Sequence, residues 1–419
     1  MKNKRDDVIM IQVIDDICGA GKTTYIINHI KNELQKENDT RFIYVTPYLD
    51  EVKRIRKEIP TFKEPVIDIN NDFKKKESLL DLIFENENIC TTHALFRLMD
   101  GDLIRLLQQR NYVLIIDEVL DVVSECPISK SDCKIILQEC ATVDKNNKVV
   151  WKNMDYTGKY NEYKRYALND NLYLYNNQNK SVAFFWNFPY QVFSLFDDTY
   201  ILTYMFDCQI MAYYLQYHNI VYKKFSLDSN THKLIPYTKR KLDKNLFDII
   251  GAKDNRKDNS TRNQERKYNN IGENKTDLCK SWYERKTGSI ENVKLLNNAL
   301  RAVRKNYFKC DTGDLIWTTY KNKENTIKFE GSKSTFLACN ARATNQYQDR
   351  HFIMYGVNLF LNPILKKYFK QQGIKTNDDN WALSMLIQFV CRSAIRKGEK
   401  VRVYIPSKRM RKLFLDYIA

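Results

Sequence analysis

A chain of 419 residues with 68 Lys and Arg against 51 Asp and Glu carries a formal net charge of +17, which favours a polyanionic partner because each cation set against a phosphate releases condensed counterions. The length exceeds what one hydrophobic core usually organises, so two domains are expected; a 43% hydrophobic content and a mean hydropathy of −0.55 allow sizeable cores, and no apolar run approaches a membrane span. The charged start MKNKRDD leads only into a short apolar run, which does not suit a signal peptide and points to the cytoplasm, and ten cysteines without a CxxC pair, beside five histidines, read as reduced thiols rather than a zinc site.

The first predicted element is a strand, VIMIQVID (8–15), and the next a helix, TTYIINHIKNELQKE (23–37), with apolar residues at helical spacing. Between them DDICGAGKTTY (15–25) ends in the Gly21-Lys22-Thr23 of the pattern GxxxxGK[ST], but Asp16 stands where the first glycine belongs. Gly19 restores the loop as GxGK[ST][ST]. Glycines at 19 and 21 let backbone N–H groups of Gly19, Ala20, Gly21 and Thr24 close on phosphate oxygens at a helix N-terminus, Lys22 reaches the terminal phosphates and Thr23 holds a Mg²⁺ ion, so ATP with Mg²⁺ is the expected cofactor.

RFIYVTPYLDEVKRIRKE (41–58) and ENICTTHALFRLM (87–99) each read as a strand running into a helix. NYVLIIDEVLDVV (111–123) then supplies a buried strand ending in Asp117-Glu118, a Walker B pattern in which Asp117 holds the Mg²⁺ shell and Glu118 deprotonates the attacking water. The alternation predicts a doubly wound parallel sheet.

In motif order the chain resembles a superfamily 2 helicase, of phage or mobile-element type: GxGKT, Thr46-Pro47, Thr92-His93, then Asp117-Glu118-Val119-Leu120. The resemblance implies that Thr46, Pro47, Thr92 and His93 touch the sugar-phosphate backbone of a bound strand. Thr203, at the end of the strand in DDTYILTYMFDCQIMAYYL (197–215), falls where that family couples hydrolysis to domain movement. From Ala252 to Thr276 there is no Val, Leu, Phe or Met, so a basic, mobile insertion is expected.

A helical region at 289–307 and strand signals at 314–320, 351–358 and 400–407 predict a second α/β domain. Before its last strand Gln388, Arg392 and Arg396 recur every four residues, as on one helical face. The helicase resemblance reads them as the motif that sets arginines on the γ-phosphate, and reads Arg342, Thr344 and Asn345 as contacts to nucleic acid and nucleotide. The expectation is therefore two RecA-like P-loop domains, each a mostly parallel sheet flanked by helices: 1–225 with the ATP site, 226–289 as linker and basic insertion, and 290–419. The implied function is an ATP-dependent helicase or translocase on nucleic acid, DNA ahead of RNA, without a membrane and with replication or recombination proteins as partners. A terminase-type packaging ATPase and a nucleic-acid-binding regulator with a timing ATPase are the alternatives.

Overall fold

The computed structural model describes residues 10–36, 39–67, 75–177, 181–250, 271–285, 287–341 and 346–419. They divide into two units: Met1–Asp16, Gly21–Thr238 and Asn362–Thr376 in the first, and Ile17–Ala20, Lys239–Leu361 and Asn377–Ala419 in the second. Arg342, Thr344, Asn345 and residues 252–270 of the basic stretch lie outside the described residues.

In the first unit the strands are β1 (Met10–Asp15), β2 (Arg41–Thr46), β3 (Phe62–Lys63), β4 (Asn88–Thr92), β5 (Tyr112–Asp117), β6 (Val123–Glu125), β7 (Ala141–Val143), β8 (Val149–Trp151), β9 (Leu172–Asn177), β10 (Ser181–Asn187), β11 (Asp198–Thr203), β12 (Val221–Leu227) and β13 (Leu234–Pro236). Eight of them form one sheet in the order β13-β12-β1-β11-β5-β2-β4-β3, parallel except for β13. Near-continuous apolar runs suit these strands because both faces are covered. Val113 and Ile115 of β5 pack with Ile26, Ile30, Val52 and Ile55 from the helices Lys22–Leu34 and Leu49–Glu58. Leu114 and Ile116 face the opposite core.

That opposite core contains a segment with no counterpart in the sequence expectation. Between β5 and β11 the chain forms an antiparallel sheet, β6-β10-β9, and a hairpin, β7-β8. Phe184 and Phe185 of β10 are fully buried there. The helix Pro363–Gln371 packs against it: Tyr368 stacks on Phe185 with centroids 4.3 Å apart, and its hydroxyl accepts from Asn187 Nδ2 at 2.7 Å.

The second unit contains β14 (Phe247–Ile249), β15 (Leu315–Thr318), β16 (Phe352–Tyr355) and β17 (Val401–Tyr404), all parallel in the order β14-β17-β16-β15. Its core gathers Trp317, Met354 and Tyr404 with Leu296 and Leu300 of the helix Ser289–Ala302. Both units are thus RecA-like α/β layers, a mostly parallel sheet flanked by helices. The helix expected across 383–399 is Asp378–Val390 alone, capped by Cys391, and a separate 3₁₀ turn covers Ala394–Lys397. Gln388, Arg392 and Arg396 therefore do not share one helical face. Among the described residues no helix is long and apolar enough to cross a membrane.

Candidate nucleotide site

β1 delivers its carboxyl end to the loop, and the helix Lys22–Leu34 leaves it. Gly19 and Gly21 have φ of 85° and 86°, a left-handed conformation that glycine alone adopts without steric cost. Gly21 is the helix N-cap, and no acidic residue occupies the first turn, so the partial positive charge of the helix end is not offset from within the turn. Lys22 Nζ donates to the Asp16 carbonyl at 2.6 Å, which holds the ammonium over the loop.

The two aspartates before the loop are structural. Asp16 Oδ2 accepts from the Leu227 amide at 2.8 Å and ties the loop to β12. Asp15 accepts from the amides of Met205 at 2.7 Å and Phe206 at 3.1 Å, capping the turn after β11, and burial raises its pKa.

β11 lies between β1 and β5, and the register sets Ile14 beside Leu202 and Leu202 beside Asp117. Loop and acidic pair thus emerge at one sheet edge, two strand spacings or roughly 9.5 Å apart. The end of β11 holds both: the Thr203 carbonyl accepts from the Asp16 amide at 3.1 Å and the Leu202 carbonyl from the Glu118 amide at 3.0 Å. Glu118 has φ of 64°, a left-handed conformation that a glutamate seldom adopts and that the surrounding strands must hold. Asp117 Oδ2 accepts from the Tyr44 hydroxyl at 2.8 Å. Burial, and then the neighbouring Glu118, push the Asp117 pKa up to about 6. A partly buried carboxylate of that kind is stabilised by a cation, and with Thr23 at the loop it suits a hard divalent ion bridging to phosphate. Tyr44 was not legible as a site residue, because in sequence it is one more large residue in an apolar strand.

The other expected residues separate by burial. Thr46 is wholly buried and its hydroxyl finds no hydrogen-bond partner among the described residues. His93, 7% exposed, turns its Nε2 to the Asp117 carbonyl at 3.0 Å, so it donates there and braces the acidic strand. Thr92 caps the short helix His93–Phe96, its hydroxyl accepting from the Leu95 amide at 3.4 Å. The side chains of Thr46 and His93 therefore point inward, which leaves Pro47 and the exposed Tyr48 and Leu49 on the surface after β2. In the second unit Gln388 is half-buried, Arg392 is 6% exposed and Arg396 stands in solvent.

A relative from Bacillus subtilis (strain 168), the SPbeta prophage-derived uncharacterized protein YonV, is 36% identical over 421 residues, covering 97% of this chain and 98% of its own. The chain belongs to the YonV family. Residues 123–186 match the model of the YonV middle domain and residues 257–418 that of the YonV C-terminal Rossmann-like domain. The YonV middle domain thus coincides with β6 to β10, the antiparallel insertion. Among solved structures the chain is similar to an XPD helicase (TM-score 0.44, 11% identity, covering 94% of this chain and 92% of that one) and to S. tokodaii Xpd4 (0.42, 12%, 97% and 94%).

Proposed function

We propose that this YonV-family chain is an ATP-dependent motor on nucleic acid, a helicase or translocase. The observation that carries the reading is the shared sheet edge, where a glycine loop with its lysine and an acidic pair with a raised-pKa aspartate emerge on either side of one strand. In this reading the loop N–H groups and Lys22 bind the triphosphate, and Thr23 and Asp117 hold Mg²⁺. The metal would neutralise charge on the β- and γ-phosphates. Glu118, whose backbone N–H donates a hydrogen bond to the Leu202 carbonyl, takes the proton of the attacking water. Arg396 is the better candidate for an arginine that stabilises transition-state charge, since Arg392 is buried within its own unit. The net charge of +17 supports a nucleic-acid partner.

The test is ATP hydrolysis measured alone and with single-stranded DNA, duplex DNA and RNA, followed by strand displacement. Lys22→Ala should leave less than about a tenth of the activity, and Glu118→Gln should slow turnover by roughly 10²- to 10⁴-fold while retaining bound ATP. Normal turnover by either variant would place the chemistry elsewhere. Stimulated hydrolysis without displacement of any duplex would identify a translocase or a timing ATPase rather than a helicase.

A further inference from the structure

Away from the nucleotide site, the first unit contains a cavity of about 380 Å³ where the middle-domain insertion meets the rest of the unit. Its wall comes from segments distant in sequence: the turn Asp144–Lys148, the start of β9, the 3₁₀ turn Tyr190–Leu195, the end of the helix Ile210–Tyr217, and Gln372 just past the helix Pro363–Gln371.

One side of the cavity is aromatic. Tyr190 stacks on His218, with centroids 4.5 Å apart and planes 13° from parallel, and 40% of Tyr190 remains in solvent. The Tyr217 ring lies 4.5 Å from the same imidazole, and Tyr173 meets Tyr217 edge-on at 6.4 Å. Burial pushes the His218 pKa down to about 4, so at neutral pH the stack is an uncharged platform.

The polar groups divide into those already engaged and those that are not. Asp144 Oδ1 accepts from the amides of Asn146 and Lys148, each at 2.8 Å, and Asp170 pairs with the Lys148 ammonium at 2.9 Å, so both carboxylates are engaged within the wall. Two nitrogens remain: His218 Nε2 and Gln372 Nε2 are buried with no hydrogen-bond partner among the described residues. Buried polar atoms of this kind ask for a partner, and a ligand supplies one. Asn147, Asp170 and Asn219, all in the wall, hold left-handed φ of 62°, 60° and 55°.

We propose that this cavity seats an unpaired base of a single-stranded nucleic acid, stacked on the solvent-facing side of Tyr190, which His218 backs, with its polar edge turned toward Gln372 Nε2. The chemistry fits a base because the platform is flat, uncharged and bordered by amide and imidazole groups, which is how extruded or unstacked bases are held. A phosphate would instead need a cluster of unpaired cations inside, and of the two lysines in the wall Lys148 is already engaged by Asp170, which leaves Lys145 and no cluster. The inference rests on the proposed function only in taking nucleic acid as the partner.

The experiment uses the full chain and fluorescein-labelled 20-nucleotide strands, oligo-dT and oligo-rU. Tyr190→Ala should weaken binding by about tenfold, the usual effect of removing one stacking platform, and Gln372→Leu by less. The slope of affinity against salt should not change, since no phosphate contact is lost. Basal ATP hydrolysis should stay within about twofold of wild type, which also reports that the variants are folded. Strands carrying 5-iodouridine should crosslink to Tyr190, Tyr217 or Tyr173. Both variants binding within twofold of wild type, or crosslinks that all map elsewhere, would overturn the site, as would wild-type protein that binds no single strand. If wild type binds strands through these residues but hydrolyses no ATP, the motor reading fails and the base site stands.

Discussion

Asp16 fixes the start of the phosphate-binding loop in a way that glycine cannot. Its carboxylate, which glycine lacks, holds the Leu227 amide, while its backbone carbonyl, which any residue would supply, holds the Lys22 ammonium. Asp16→Gly, which would restore the familiar loop pattern, should cost about 1–3 kcal/mol in urea unfolding, the range for losing a buried hydrogen bond to a charged group, and should not tighten ATP binding in a nucleotide titration. Tyr44 orients Asp117 in the same indirect manner. Tyr44→Phe should raise the Mg²⁺ concentration for half-maximal hydrolysis about tenfold, the scale on which outer partners act on metal affinity, and leave metal-free nucleotide binding as it was. Gly19, Gly21, Lys22 and the Asp117-Glu118 pair could be singled out in the sequence because the chemistry proposed for them needs those residue types at that spacing. It could not reveal Tyr44, whose role depends on β2 lying beside β5 with Tyr44 opposite Ile115. Nor could it reveal the burial of Thr46 and His93, since motif order fixes position along the chain and not the direction of a side chain.

At the scale of elements, most of the parallel strands were legible, β3, β12 and β14 excepted, and the antiparallel ones were not. β1, β2, β5 and β11 are covered on both faces and read as unbroken apolar runs. β6, β7 and β8 have three residues each, too few to display an alternation. The helix expected through Arg396 failed for a related reason: the four-residue spacing continues past Val390, but the backbone turns at Cys391, and Ser393 caps a new turn by accepting from the Ile395 amide. In the second unit the strand starts are linked by His351, whose ring meets Asp314 before β15 at 2.9 Å and Glu399 before β17 at 2.8 Å. Asp314 first, then Glu399, raise the His351 pKa above its usual 6.5. A histidine favoured in its charged form when folded adds stability that is complete below pH 6.5 and fades as pH rises through the raised value. Wild type should therefore melt above His351→Gln at pH 6, and the gap should narrow by pH 9 in thermal scans.

On the scale of the whole molecule, the chain does not build one unit and then the other. The first unit includes Asn362–Thr376, whose Tyr368 and Phe369 are fully buried against it. A fragment ending at residue 238 should consequently melt at least about 10 °C below the same fragment with residues 362–376 attached by a flexible linker, given the several kcal/mol that a buried aromatic contributes. Equal melting temperatures in calorimetry would show that the returning helix is dispensable. The same thread sets a schedule. At roughly 5–20 residues per second of synthesis, the surface of Phe185 and Asn187 waits roughly 7 to 27 seconds between the emergence of residue 238 and that of the helix that covers it. For that interval the nascent protein presents an aromatic face to the cell, and a message cut short anywhere before residue 362 would leave it presented for good.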